Sequence, residues 1–382
     1  MPKGLGPAPE PPSEIGRLRV LSKTAGIGVS PLVLGATTSS DFLDSMNKKR
    51  AFKLLDAFNK AGGNFIDAAN NYENEQWDEW IGEWMESRKL RDKIVICTKY
   101  AGDYKRCEAA QGKSANYCGY HQPSLRVSVR DSLHKLKTDW IDILYVQWCD
   151  YMGSIEEAMD SLHILVQQGK VLYLGVCDAP AWVVSAANYY ASSHGKTPFS
   201  VYQGKWNVLN RDFEREILPM ARHFGMALVP WDVMWGGRFQ SKKTMEKRER
   251  RGKDVRTFVG SPKQTDVEVK ISEALSKVAQ EHGTEFIAAI AIAYVRAKAK
   301  NVFPLVGGRK VEHLKQNIEA LSIKLTPEQM EYLESIVPFD IGFPNTFIKL
   351  NTLLKHYSYH TSELKFQLWK TQKERKISNS LV

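Results

Sequence analysis

Short apolar runs alternate with amphipathic stretches along most of the 382-residue chain. Eight β-rich runs begin near Ser30, Gly63, Lys93, Trp140, Lys170, Pro198, Gly225 and Asn301. Each is brief and almost unbroken in its hydrophobicity, the pattern of a strand covered on both faces. Between them, apolar residues recur at helical spacing. Lys48 to Lys60 places Ala51, Leu54, Leu55 and Phe58 on one face. Ser124 to Leu136 does so with Leu125, Val129, Leu133 and Leu136. The stretches Ile155–Gln167 and Trp182–Tyr190 repeat the amphipathic pattern.

Most strand starts lie about 27–33 residues apart, the length of one strand–helix unit. Eight such units predict an α/β fold, a (β/α)8 or TIM barrel. A doubly wound sheet would carry a Gly-rich phosphate loop after its first strand. The segment there reads Leu34-Gly35-Ala36-Thr37-Thr38-Ser39-Ser40 and lacks that fingerprint. Residues 17–29 predict a hairpin ahead of the first strand. About 76 residues separate the starts at Gly225 and Asn301, so an insertion is expected there. It reads as a basic loop from Gln240 to Phe258, then helices near 266–282 and 284–299. Near the C-terminus, Thr326-Pro327 opens a helix with Thr326 at the N-cap and Gln329 close behind.

These patterns divide the chain into a Pro-rich arm (1–16), a barrel domain (17–344) and a tail (345–382). The tail lacks regular periodicity and stays open between a short helix, a disordered extension and a scrambled end. Hydrophobic residues make up 43% of the chain and charged residues 25%, an ordinary globular balance. The longest uncharged apolar run, Phe286 to Val295, falls well short of the ~20 residues a membrane span needs. The N-terminus has no apolar segment of the secretory kind. Five cysteines without a CxxC pair point away from disulfides and from a structural metal site. A cytoplasmic protein with no membrane contact and no bound metal is expected, a monomer or weak homo-oligomer.

The net charge of +10 raises nucleic acid as a partner. Its distribution argues otherwise. Lys242 to Arg256 holds eight basic and three acidic residues, and Asn345 to Val382 holds seven and two. The rest of the chain is neutral. The first segment mixes in Glu246, Glu249 and Asp254 and has no interleaved aromatics, so a solvated face is the better reading. It lies in a loop expected on the catalytic face, where it would attract the phosphates of a small anionic cofactor. No nucleic-acid partner is expected.

In a barrel, functional residues sit at the C-terminal ends of strands. Asp67 ends the second run, with Tyr72 five residues on; Lys99 ends the third and Gln147 the fourth. This set suits carbonyl reduction. A free tyrosine, with a pKa of about 10, is a poor acid near neutrality. A neighbouring ammonium would lower that pKa, and a carboxylate would orient the ammonium. The tyrosine could then protonate a developing alkoxide. A buried Asp–Lys pair of purely structural use fits the same residues.

The segments FIDAANNY, ICTK, VLYLGV, VYQGKWN and FPLVGGRKVEHLKQNIEAL together resemble the aldo-keto reductases. The nearest branch is the fungal aryl-alcohol dehydrogenases and their norsolorinic-acid-reductase-like relatives. The likeness runs from about Pro9 to Pro344. It implies a barrel that binds NADP(H) without a Rossmann fold, and a small aromatic aldehyde or alcohol as substrate.

By resemblance the catalytic set is Asp67, Tyr72 and Lys99, with Gln147 where the family normally has His. An amide can donate to the carbonyl but cannot carry charge. The resemblance also implies that Trp206 stacks on the nicotinamide and that Gln203, Asp178 and Cys177 hold its carboxamide. Gly236 and Gly237 would let the backbone approach the pyrophosphate. At Gly308 and Arg309 a helix opens, and Arg309 could fork onto a 2′-phosphate, favouring NADPH. His313 and Asn317 would face the adenine. Trp148, Trp231 and Trp235 would form an apolar substrate mouth, and bulky Trp235 would narrow it. Two departures, Gln147 and a short loop between Ala36 and Met46, keep a second reading open: a degenerate or regulatory paralogue that binds NADPH but turns over weakly.

Overall fold

The computed structural model of the protein describes residues 10–35, 46–105, 115–148, 153–241, 244–246, 250, 263–308 and 310–347. Two strands, β1 (Arg19–Ser22) and β2 (Ala25–Val29), pair antiparallel as the expected hairpin. Eight more run parallel in one sheet: β3 (Val33–Gly35), β4 (Phe65–Asp67), β5 (Val95–Tyr100), β6 (Ile141–Gln147), β7 (Val171–Cys177), β8 (Phe199–Lys205), β9 (Ala227–Trp231) and β10 (Leu305–Val306). Neighbours follow chain order from β3 to β9, with β10 beside β3. Just ahead of β10, Val302 bridges Leu228 of β9. Leu228 N donates to Asn301 O at 2.9 Å, and Phe303 N to Leu228 O at 2.8 Å. The sheet thus closes on itself as a (β/α)8 barrel.

The helices are α1 (Lys48–Lys60), α2 (Gln76–Arg88), α3 (Gln122–Leu136), α4 (Ile155–Gln167), α5 (Ala181–Ser193), α6 (Ile217–Phe224), α7 (Asp266–Glu281), α8 (Ile287–Lys298), α9 (Val311–Glu319) and α10 (Pro327–Ser335). Their starts are chemically marked. Asn47 accepts from Arg50 N and caps α1; Ser154 accepts from Glu157 N and caps α4. Thr265 with Glu268 and Thr326 with Gln329 form capping boxes on α7 and α10. Both helices of the insertion lie where the sequence pattern puts them.

Helix α2 escapes the pattern because its buried side is not uniformly apolar. Asp78 and Gly82 lie there among Trp77, Trp80, Ile81, Trp84 and Met85. Gly82 is required by close approach: a Cβ at that position would collide with the carbonyl of Lys135 in α3.

Inside the barrel, Val33, Phe65, Val95, Cys97, Ile143, Tyr145, Val201, Val229 and Phe303 pack as one cluster. Leu21, Ala25 and Val29 of the hairpin join the same cluster. The hairpin bonds to residues at strand beginnings: Lys23 N to Gly225 O, and Thr24 Oγ1 to Ser200 Oγ at 2.9 Å. It therefore plugs the N-terminal end and leaves the opposite end for chemistry. A second layer of apolar side chains fills the space between sheet and helices.

The chain divides into two compact units after Phe339. The described part of the second is short. There Asp340 accepts from Gly342 N at 2.8 Å and Thr346 Oγ1 at 3.1 Å. Among the described residues no helix is long and apolar enough to cross a membrane, and no cluster of metal-ligating side chains occurs.

Candidate active site

Parallel registration brings the strand ends to one level. Asp67 stands opposite Cys97, Gln147 opposite Cys177, Cys177 opposite Gln203, and Lys205 opposite Trp231. At that level lies a hydrogen-bonded chain of side chains. Lys99 Nζ donates to Asp67 Oδ2 at 2.5 Å and to Ala68 O at 2.8 Å. Gln203 Nε2 donates to Asp67 Oδ1 at 2.9 Å. Cys177 Sγ contacts Gln203 Oε1 at 3.6 Å and Asp178 Oδ2 at 3.2 Å. Trp231 Nε1 donates to Asp178 Oδ1 at 2.8 Å. Residues from β4, β5, β7, β8 and β9 are joined without a break.

Lys99 and Asp67 are both fully buried. Burial alone would lower the lysine's pKa, but the Asp67 carboxylate together with Tyr72 and Cys177 outweighs it and the net shift is upward. The ammonium is therefore fixed as a charge. It lies 5.1 Å from the centre of the Tyr72 ring. Tyr72 differs from expectation. Desolvation pushes its pKa up to about 12, and the downward pull of Lys99 does not compensate. The ammonium restrains the rise rather than producing a phenolate, so Tyr72 holds its proton. Burial likewise pushes the Cys177 thiol up and raises the Asp178 carboxyl.

Four strand ends turn sharply. Ala101, Trp148, Asp178 and Asp232 follow β5, β6, β7 and β9 with φ of 89°, 67°, 54° and 58°. Aspartate tolerates this region; for tryptophan it is strained. Trp148 is 52% exposed at the barrel mouth, while the preceding Gln147 is 8% exposed. Trp148 N is anchored on Cys177 O at 2.9 Å. Beside it opens a cavity of about 510 Å³, lined by Trp148, Asp178, Tyr202, Lys205, Asn210 and Phe213 among others.

The expected nicotinamide stacker is elsewhere. Trp206 is 0% exposed, stacks on Phe213 with centroids 4.9 Å apart and planes 6° apart, and donates to Glu214. It is a core residue with no face for a ligand. Trp231, one strand over and half-buried at the end of β9, is tied into the site by its bond to Asp178. Gln203 lies in the site but spends its Nε2 on Asp67.

Trp235 stands in the loop after β9, with Nε1 donating to Glu268 Oε1 at 2.5 Å. Arg238 also holds Glu268, at 2.6 and 2.7 Å, so the loop is fastened to the start of α7. Gly236 N is taken by the Asp232 carboxylate, whereas no atom comes within 4 Å of a Cβ built on Gly237. Gly308 and the exposed His313 meet at the start of α9. Asn317 is buried and donates to Gly307 O at 3.2 Å, supporting the loop. Arg309, residues 36–45 and most of the basic segment, including Lys242 and Lys243, lie outside the described residues.

Lys205, at the end of β8, was not singled out by sequence. Its ammonium lies 4.1 Å from the Trp235 ring centre, 5.9 Å from that of Trp231 and 3.7 Å from Asp232. The signal available was a lone lysine closing an otherwise uncharged strand.

The sequence profile of the Aldo/keto reductase family matches residues 31–338. The chain belongs to the aldo/keto reductase family. A Saccharomyces cerevisiae protein named as a probable aryl-alcohol dehydrogenase is 78% identical over 306 residues, covering 80% of this reductase and 93% of the relative. A Phanerodontia chrysosporium protein named aryl-alcohol dehydrogenase [NADP(+)] is 50% identical over 347 residues, covering 88% and 90%. Norsolorinic acid reductase of Aspergillus flavus is 46% identical over 345 residues, covering 89% and 86%. Family and relatives together make this aldo/keto reductase an oxidoreductase.

Proposed function

We propose that the chain is an NADP(H)-dependent reductase that interconverts aryl aldehydes and alcohols. The observation that carries this reading is the buried Lys99–Asp67 pair with Tyr72 packed against the ammonium at the barrel's C-terminal mouth. The relatives named as aryl-alcohol dehydrogenases support the substrate class, and one named for NADP(+) supports the cofactor.

The donor set fits a nicotinamide dinucleotide. Trp231 offers a ring, Asp178 and Gln203 polar atoms, Lys205 a cation, and Gly237 an open stretch of backbone. By the family resemblance, Arg309, His313 and Asn317 would take the adenylate end. When bound, NADP(H) supplies or accepts the hydride. Gln147 Nε2 donates to the carbonyl oxygen and orients it. Tyr72, kept protonated, delivers its proton to that oxygen as charge develops. Lys99 steadies the phenolate left behind, and Asp67 holds Lys99 in place. Trp148 and Trp235 exclude water from the aryl ring.

The test is NADPH consumption with aryl aldehydes by the wild type, Tyr72→Phe and Gln147→His. Turnover by the wild type, lost in Tyr72→Phe, is expected. One observation favours a second reading, a cofactor-binding paralogue of weak turnover: Gln147 stands where the family has His. Activity that emerges only in Gln147→His would replace the first reading with that one.

A further inference from the structure

Tyr72 lies on a segment that crosses from β4 to α2 and is held on both sides of the tyrosine. Ahead of it, Ala68 N donates to Cys97 O at 2.8 Å and Asn70 N to Lys99 O at 3.3 Å. The buried Asn70 side chain reaches α3, where its Nδ2 donates to Ser128 Oγ at 3.3 Å. Behind it, Glu73, Asn74 and Glu75 pass in succession through the left-handed region, with φ of 47°, 52° and 72°. Asparagine tolerates that region. Two glutamates in it are strained, and such residues persist only where surrounding contacts hold them.

Glu75 supplies contacts of that kind. It stands at the N-cap position of α2, yet its side chain caps no helical amide. The carboxylate instead bridges two cations: Lys135 Nζ of α3 and, at 3.1 Å, Lys105 Nζ on the loop after β5. The Lys135, Glu75 and Lys105 side chains are 14%, 17% and 22% exposed, so solvent screens these pairs less than it screens surface pairs. Ser128, Ser132 and Lys135 occupy positions i, i+4 and i+7 of α3, which is one face of a helix. Ser132 Oγ donates to Asp78 of α2 at 2.9 Å. One face of α3 thus holds the chain at residues 70, 75 and 78, on both sides of Tyr72. Helix α3 follows β5, the strand that carries Lys99.

We infer that Glu75 is a positioning residue for Tyr72: through Lys135 and Lys105 it holds the left-handed turn that sets the phenol against the Lys99 ammonium. The inference rests on the reading of Tyr72 as proton donor and adds to it a residue that does not touch the reactants. Without the carboxylate, the turn loses two ion pairs that hold it against its strain, and it relaxes. Asn70 still fixes the near side, so the phenol shifts while the barrel stays intact. A displacement of about 1 Å at a reacting group costs up to about 10²-fold in turnover. The groups proposed for the nicotinamide lie on β7, β8 and β9 and the loops after them, so NADPH affinity is unaffected.

The experiment uses the full chain. Glu75→Gly removes the carboxylate and the strain together, because glycine accepts positive φ, so the variant folds. Glu75→Lys and Lys135→Glu each break the pair, and the double variant restores it with the charges exchanged. Aldehyde reduction is followed with NADPH, cofactor affinity by fluorescence, and Tyr72 itself by NMR of protein carrying isotope-labelled tyrosine. The Tyr72 signal is assigned from Tyr72→Phe. Glu75→Gly is expected to lower kcat about 10–10²-fold, leave NADPH Kd and melting temperature unchanged, and move the Tyr72 signal. The exchanged pair is expected to recover most of the kcat that Lys135→Glu loses. Full kcat in Glu75→Gly overturns the inference and leaves the reductase reading standing. An unmoved Tyr72 signal overturns it whether or not turnover falls. A signal that moves in Glu75→Gly, when the wild type itself shows no turnover, supports the positioning role and counts against the reductase reading instead.

Discussion

Lys99 Nζ lies 2.5 Å from Asp67 Oδ2, and neither side chain reaches solvent. Each charge is tolerable there only because of the other. Asp67→Asn leaves a buried ammonium without its counter-charge and should lower stability by about 3–5 kcal/mol. Lys99→Met should cost a similar amount. The double variant should recover much of that loss in urea denaturation while remaining inactive. A double variant no more stable than either single one would show that the pair is not the dominant buried charge interaction.

Tyr72 titrates upward, to about 12, because desolvation outweighs the ammonium beside it. A tyrosine raised in this way stays neutral through the ordinary tyrosine range near 10. Aldehyde reduction, which needs the proton, should therefore show no downward limb from Tyr72 between pH 7 and about 10. Alcohol oxidation, which needs the phenolate, should keep rising over the same interval. Tyr72→Phe should reduce turnover about 10²–10⁴-fold with little change in NADPH affinity. A falling limb in aldehyde reduction near pH 8 that vanishes in Tyr72→Phe would contradict this.

Two tryptophans separate core from site. Trp206 is enclosed against Phe213, so Trp206→Ala should destabilise the fold by about 3–5 kcal/mol. Trp231 is half-buried and bonded to Asp178 at the mouth. Trp231→Ala should leave the fold largely intact and weaken NADPH binding about tenfold. Denaturation curves and NADPH fluorescence titrations on both variants decide the matter; the reverse pattern would return Trp206 to the site.

Asp78 is a buried acid outside the catalytic set. It accepts from Ser132 Oγ at 2.9 Å and from Thr98 Oγ1 at 3.3 Å, and Thr98 precedes Lys99. Burial pushes its pKa up to about 6. A carboxyl raised in the folded state stabilises the fold fully below its unfolded pKa near 4, and that contribution disappears as pH rises through about 6. Melting temperature should thus show a component that declines between pH 4 and 6. Asp78→Asn, which cannot ionise, should lack it. An unchanged pH profile in that variant would remove Asp78 as the cause.

Much of the barrel was legible because its strands and helices obey two simple periodicities. The runs at Lys93, Trp140 and Lys170 became β5, β6 and β7, and the face of Ala51, Leu54, Leu55 and Phe58 is the buried face of α1. Helix α2 was not legible, since Asp78 and Gly82 interrupt its apolar side for reasons that lie in Thr98, Ser132 and Lys135. Nothing local marks Lys205: one lysine at a strand end looks like a solvated terminus, and only the fold brings the Trp235 ring to 4.1 Å from its ammonium.

Strand spacing, capping residues and the polar residues at strand ends come from local order along the chain, so the sequence by itself determined the barrel, the hairpin and the membership of Asp67, Tyr72, Lys99 and Gln147 at one mouth. Which tryptophan is core and which faces the site, whether Lys99 wins over desolvation at Tyr72, and that Gln203 serves Asp67 were decided only in three dimensions. Those outcomes depend on burial and on donors from strands more than a hundred residues apart, as Gln203 and Asp67 are. Water exclusion and pairing are properties of the closed barrel, and no local pattern encodes them.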